Sequence, residues 1–124
     1  MKVVITGATG CVGQNLVKKL VQDSDIQVTA LGRNKTIGST LETKNSSFFQ
    51  TDICDSVSLK KLFKDQDVAI HCAALASPWG PHKRFQSTNV DGTQTVLNAI
   101  KTEGWTLIEC YPQASSFEPL PMIL

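Results

Sequence analysis

Three glycines near the start of the chain, Gly7, Gly10 and Gly13, lie between an apolar run and an amphipathic stretch. The run Lys2–Thr6 is typical of a buried strand, and the stretch from Cys11 onward is typical of a helix. The first turn of a helix carries backbone N–H groups without acceptors and a partial positive charge, which together attract phosphates. Because glycine has no Cβ, its backbone can approach a phosphate closely. The segment therefore predicts a pyrophosphate-binding turn, with an ordinary glycine turn as the alternative.

Arg33 follows the second predicted strand. In NAD-binding sites, an acidic residue about 20 positions beyond the glycine motif binds the ribose 2′-hydroxyl. Here that position holds an arginine, whose guanidinium can pair with a 2′-phosphate, and Lys35 adds a second positive charge. The arginine favours NADP over NAD, and the alternative is that Arg33 is a solvated loop residue.

Asp52 and Ile53 follow the third predicted strand, at the sheet edge where open α/β folds bind ligands. Asp52 can accept a hydrogen bond from an adenine amino group while Ile53 packs on the ring. The alternative is that Asp52 or Asp55 caps the helix that begins at Ser56.

The segment His71–Ala74 ends the fourth predicted strand, and its small side chains leave room for a ribose and phosphates. For His71, we favour a hydrogen-bonded strand residue over a catalyst. For Cys11, we favour packing over a reactive thiol.

Composition narrows the class of protein. The chain has 124 residues, which predicts one domain, and a net charge of +1, which gives no indication of a nucleic-acid partner. Its four cysteines are far apart and its two histidines are isolated, so we expect no metal site and a reducing cytoplasm. Strand-like sequence from Lys2 leaves no room for a signal peptide, and the longest apolar stretch, Val68–Ala76, is too short to span a membrane.

Strand and helix patterns alternate along the chain, which predicts a parallel sheet with helices on both faces. The predicted strands are Lys2–Thr6, Gln27–Leu31, Ser47–Gln50, Asp67–Cys72 and Trp105–Cys110. The predicted helices are Cys11–Gln22, Ser56–Lys64 and Phe85–Thr102, with Val12 and Val90 on their buried faces and loops at Gly32–Asn45 and Ser77–Lys83.

We therefore predict a Rossmann-type, doubly wound α/β fold with strand order 3-2-1-4-5. The chain ends before the sixth strand that such folds usually have, so we expect a truncated form. Residues 1–104 form the predicted dinucleotide-binding domain, and residues 105–124 form an atypical tail.

Several motifs together resemble the extended short-chain dehydrogenase/reductases, in the NAD-dependent epimerase/dehydratase group. They are Thr6–Gly13, Asp52-Ile53, His71–Ala74 and Asn89–Thr93. The segment Ala73–Pro81, followed by Phe85 and Asn89, is similar to the 3β-hydroxysteroid dehydrogenase-like branch. The resemblance covers about residues 1–104.

The resemblance implies oxidation or reduction at a secondary alcohol carbon with a nicotinamide dinucleotide. The cofactor-binding residues it implies are Gly7, Thr9, Gly10, Cys11, Val12, Gly13, Arg33, Asp52, Ile53, Ala73, Ala74 and Asn89. Cys11 is a departure, because the family usually has a bulky aromatic there.

Catalysis in the family uses a Tyr-x-x-x-Lys pair that this chain lacks. The single tyrosine is Tyr111, the residue four positions later is Ser115, and the last lysine is Lys101. We therefore expect no activity from this chain alone, and we interpret the tail from Trp105 as a truncated or frame-shifted end. The alternatives are a non-catalytic dinucleotide-binding module and an unstable fragment that associates with itself through an exposed sheet edge.

Overall fold

Strands and helices alternate along the chain, as the apolar pattern predicts. The computed structural model describes residues 1–73, 83, 86–101 and 106–109. The strands are β1 (Lys2–Thr6), β2 (Gln27–Gly32), β3 (Ser46–Gln50), β4 (Val68–His71) and β5 (Thr106–Glu109). The helices are α1 (Cys11–Leu20), α2 (Lys35–Ser39), α3 (Ser56–Phe63), a π-helical segment (Gln86–Gly92) and α4 (Thr93–Lys101).

The strands form one parallel sheet in the order β3-β2-β1-β4-β5, which confirms the predicted topology. β1 is central, since Val4 pairs with Thr29 of β2 on one side and with Ala69 of β4 on the other. The chain moves from β1 outward through β2 and β3, then returns at β4 across the sheet. The carboxyl ends of β1 and β4 therefore flank the crevice in which open α/β sheets bind ligands.

The two faces of β1 each belong to a separate apolar core. Val3 and Ile5 are fully buried with Val17 of α1 on one face. Val4 is buried with Phe63 of α3 on the other face, where α4 also packs. Each fully buried side chain of this size contributes about 1.5–3 kcal/mol. Packing in these cores fixes the positions of α1 and α3 relative to the strand ends that carry the site.

The segment predicted as a loop, Gly32–Asn45, contains the short helix α2. Its N-cap is Asn34, whose side-chain oxygen accepts a hydrogen bond from the Ile37 N–H at 3.1 Å. Gly38 lies so close to the Phe48 ring that a Cβ there would overlap it. The prediction of a continuous loop was wrong because a single turn lacks the repeated apolar spacing that identifies a helix.

Two valines predicted on buried faces are exposed, Val12 at 52% and Val90 at 54%. Val12 is in the first turn of α1, beyond the end of β1, where the sheet no longer covers it. Val90 lies in the π-helical segment, whose wider turn changes the angular spacing that an α-helical pattern assumes. The predicted strands and helices have ends that agree with the structure to within two residues. The predicted loop Ser77–Lys83, apart from Lys83, lies outside the described residues.

Candidate functional site

The turn between β1 and α1 requires glycine at two positions for two different reasons. Gly7 has a positive φ of 68°, and a Cβ there would lie 2.5 Å from the backbone nitrogen of Ala73. A Cβ on Gly13 would overlap the carbonyl oxygen of Gly7, so the first turn of α1 packs directly on the loop. Gly7 and Gly13 thus shape the turn and hold it against the end of β4.

Gly10, by contrast, faces open space. It is exposed, and among the described residues a Cβ there would approach only the Gly7 carbonyl oxygen, at 3.3 Å. Gly10 is also the N-cap of α1, where it makes no side-chain hydrogen bond, and the first turn contains no acidic residue. Backbone N–H groups at such a helix start attract an anion, and Cys11 and Val12 in that turn are both exposed.

The loop after β2 is fixed beside this turn by backbone and side-chain contacts. The Ala8 N–H donates to the Leu31 carbonyl at 2.9 Å, and Gly32 packs against the Thr9 side chain. The Gln50 side-chain amide, at the end of β3, donates to the Arg33 carbonyl at 3.2 Å. Arg33 is exposed, and its position next to the glycine turn places a cation on the side of β2.

Asp52 and Asp55 have separate tasks. The Asp55 carboxylate accepts hydrogen bonds from the Ser58 N–H at 3.1 Å and the Ser58 hydroxyl at 2.7 Å, so Asp55 caps α3. The hydroxyl, followed by the N–H, lowers the pKa of Asp55 from its ordinary value of 3.8. Asp52 instead accepts from the Cys54 N–H at 2.9 Å and lies on the cleft described next. The structure therefore assigns the cap to Asp55.

A cleft of about 280 Å³ opens at the carboxyl ends of the strands. Seven of the predicted cofactor-binding residues line it, namely Gly7, Thr9, Gly10, Arg33, Asp52, Ile53 and Ala73. Ile53 is 8% exposed and also belongs to the core, so it offers the cleft only a small apolar surface. Five further residues that line the cleft were not predicted from the sequence, namely Leu31, Gly32, Asn34, Thr51 and Cys54. Only their position could have indicated these residues in the sequence, since each lies next to the end of β2 or β3.

The remaining predicted residues lie elsewhere. Cys11, Val12 and Gly13 are in the first turn of α1, and Asn89 is exposed in the π-helical segment, but none of the four lines this cleft. Gly13 acts through packing on Gly7. Ala74 and Tyr111 fall outside the described residues.

His71 ends β4 beneath the cleft and is 7% exposed. Its Nδ1 lies 2.6 Å from the Thr6 hydroxyl, and its Nε2 lies 2.9 Å from the Thr93 hydroxyl. Both ring nitrogens thus have partners inside the protein, which agrees with the predicted role of a hydrogen-bonded strand residue.

The lining residues fit a dinucleotide. The cleft crosses the ends of β3, β2, β1 and β4 in that order, with the glycine turn near the middle. A pyrophosphate at the turn would leave one nucleoside over β2 and β3, near Arg33 and Asp52, and the other over β4, near Ala73.

Residues 1–73, 83, 86–101 and 106–109 contain no group of three histidine, cysteine or acidic side chains placed to hold a metal ion. No helix among them has the length and apolar character needed to cross a bilayer.

Comparison with known proteins identifies relatives of this chain. The sequence model of the NAD-dependent epimerase/dehydratase family matches residues 3–118. The uncharacterized Escherichia coli protein YbjS is 38% identical over 96 residues, which cover 76% of this chain and 28% of YbjS. The dTDP-glucose 4,6-dehydratase of Shigella flexneri is 30% identical over 113 residues, covering 82% of this chain and 31% of that enzyme.

Solved structures agree with this assignment. UDP-glucuronic acid 4-epimerase from Bacillus cereus, in complex with NAD, superposes with a TM-score of 0.77 at 28% identity. The superposition covers 88% of this chain and 39% of the epimerase. The chain spans about a third of the length of YbjS and of the S. flexneri dehydratase. With a Rossmann-type sheet, a glycine turn at the cleft and a family match over most of its length, the chain belongs to the NAD-dependent epimerase/dehydratase family.

Proposed function

We propose that this chain binds a nicotinamide dinucleotide as the cofactor-binding part of an oxidoreductase that acts on a secondary alcohol carbon. The observation that carries this proposal is the cleft, in which an uncapped helix start with no acidic residue in its first turn lies beside Arg33 and Asp52. When bound, the cofactor would supply hydride transfer. The residues of this chain would hold its phosphates and its adenosine.

The preferred cofactor in this proposal is NADP. A 2′-phosphate on an adenosine over β2 would meet the Arg33 guanidinium, with Lys35, the first residue of α2, two positions further along the chain. An Arg–phosphate pair is a charge-assisted contact and is often bidentate. The B. cereus epimerase was crystallised with NAD, so NAD is the competing cofactor.

Reversing the charge at Arg33 tests this preference. We expect Arg33→Asp to weaken NADP binding by about ten-fold or more and to leave NAD affinity much less changed. Lys44→Asp is the matched control, because it makes the same charge change at an exposed residue before β3, away from the cleft. An unchanged ratio of NADP to NAD affinity in Arg33→Asp would remove Arg33 from the site.

The substrate class we propose is that of the 3β-hydroxysteroid dehydrogenase-like branch, because of the sequence Ala73–Pro81. The second candidate is a nucleotide sugar, favoured by the names of the dTDP-glucose 4,6-dehydratase and UDP-glucuronic acid 4-epimerase relatives. Both substrates are secondary alcohols, so both agree with the proposed reaction type.

We further propose that these 124 residues bind the cofactor without turning it over, since they contain no Tyr-x-x-x-Lys. Mixing the chain with NADP and a 3β-hydroxysteroid should give no NADPH absorbance while binding persists. Turnover under these conditions would contradict this part of the proposal. Binding without turnover also fits the alternative of a non-catalytic dinucleotide-binding module, which differs in needing no catalytic partner.

We place this function in the cytoplasm. What supports this location is the wide spacing of the four cysteines along the sequence, which suits a reducing compartment better than a disulfide scaffold.

A further inference from the structure

A buried imidazole connects three separate elements beneath the cleft. His71 of β4 contacts the hydroxyl of Thr6 at the end of β1, 2.6 Å from Nδ1, and that of Thr93 at the start of α4, 2.9 Å from Nε2. Both ring nitrogens can take part in hydrogen bonds with hydroxyl groups, and which of them donates depends on the tautomer. Thr6, His71 and Thr93, which we call the imidazole bridge, therefore join the sheet centre to a helix.

The bridge reaches the cleft through Thr6. The backbone N–H of Ala73 donates to the Thr6 hydroxyl in a long hydrogen bond of 3.4 Å. Ala73 also lines the cleft and lies against Gly7 of the glycine turn. The position of the Thr6 hydroxyl, which His71 fixes, therefore helps to set where the backbone leaves β4 at the cleft wall.

This wall borders one half of a bound dinucleotide. With the pyrophosphate at the turn after β1 and the adenosine over β2 and β3, the second nucleoside extends over β4, toward Ala73. Arg33 and Asp52, which border the adenosine half, make none of the contacts of the imidazole bridge.

We propose that His71 is a positioning residue that holds the β4 side of the cleft in place for the nicotinamide riboside half of the cofactor. This inference rests on the proposed function. It requires that changes to the imidazole bridge weaken the binding of ligands that carry both nucleosides. The binding of ligands that carry the adenosine half alone should not change.

Thr93→Val provides the cleanest test, because it removes one hydroxyl of the bridge while keeping the side-chain shape, and Thr93 does not line the cleft. Thr95→Val is the matched control. Thr95 is a half-buried threonine of the same helix, and its hydroxyl donates to the Asp91 carbonyl at 2.9 Å. His71→Asn is the second variant, because the asparagine amide can keep the contact with Thr6 while the contact with Thr93 is lost.

Calorimetry then compares NADP with adenosine 2′,5′-bisphosphate on each variant of the full chain. We expect Thr93→Val and His71→Asn to weaken NADP binding by about ten-fold and to change bisphosphate binding by less than about two-fold. Thr95→Val should leave both affinities at the wild-type value. This difference between ligands separates positioning from a general loss of stability, which would weaken both.

The role of His71 and the proposed function would be overturned by different results. Unchanged NADP affinity in both bridge variants, or equal losses for the two ligands, would overturn the role of His71 while the proposed function stands. Failure of the wild-type chain to bind either ligand would overturn the proposed function, and the inference would fall with it.

Discussion

Gly13, in the first turn of α1, packs against the carbonyl oxygen of Gly7, which lies at the β1 end of the glycine turn. The contact leaves no room for a side chain. It holds the start of α1 on the loop, next to Gly10, the N-cap residue that lines the cleft. The proposed dinucleotide site therefore depends on a packing contact as well as on charge.

Gly13→Ala should consequently destabilise the fold. We expect a loss of about 1–3 kcal/mol or more in the free energy of unfolding, because a methyl group would overlap backbone that cannot move independently. Urea denaturation measures this loss in the free energy of unfolding. Gly10→Ala is the control, since its Cβ has open space on most sides and its φ of −78° suits alanine. That variant should keep its unfolding midpoint and lose dinucleotide affinity, and equal midpoints for both variants would contradict the assignment of roles.

The cap of α3 should make stability depend on pH. Hydrogen bonds from Ser58 lower the pKa of Asp55 in the folded chain, so its charge stabilises the fold fully above the ordinary value of 3.8. That contribution is lost as the pH falls below 3.8 through the folded pKa. Asp55→Asn retains a capping oxygen without the charge, so its stability should fall below wild type at neutral pH and converge with it in acid.

Thermal melting from neutral pH downward measures the effect of Asp55→Asn. Asp52→Asn serves as the control, because Asp52 does not cap the helix. A constant difference between Asp55→Asn and wild type at every pH would show that the carboxylate charge at the cap plays no part.

Cys54 offers a chemical probe of the side of the cleft proposed to hold the adenosine. Its side chain is exposed, it forms no disulfide with the other described cysteines, and it lines the cleft next to Asp52. Bound NADP should slow alkylation of Cys54 by iodoacetamide in proportion to the fraction of chain occupied. Nicotinamide mononucleotide lacks the adenosine half and should not protect it. Peptide mass spectrometry separates Cys54 from the other thiols, and equal alkylation with and without NADP would place the adenosine elsewhere.

The sheet and the glycine turn could be predicted from the sequence because both have local signals. Val3, Val4 and Ile5 form a continuous apolar run typical of a strand buried on both faces, and the alternation of such runs with helical patterns determines the strand order. Arg33 and Asp52 could be placed at the cleft because each follows a strand in a parallel sheet. Position along the chain was sufficient for these residues.

Other features depend on contacts between distant residues. His71 meets Thr6 and Thr93 only after the strand register and the position of α4 are known, and no spacing rule connects the three. The helix α2 has a recognisable cap in Asn34 but only one turn, so its apolar residues show no period. Val90 is exposed because the chain is π-helical there, a choice that apolar spacing does not indicate.

Isothermal titration calorimetry of the folded chain with NADP and with NAD shows whether the chain binds a nicotinamide dinucleotide. We expect saturable binding of one dinucleotide per chain, tighter for NADP than for NAD. Absence of heat with both dinucleotides at concentrations on the order of millimolar, from a chain that melts cooperatively, would contradict it.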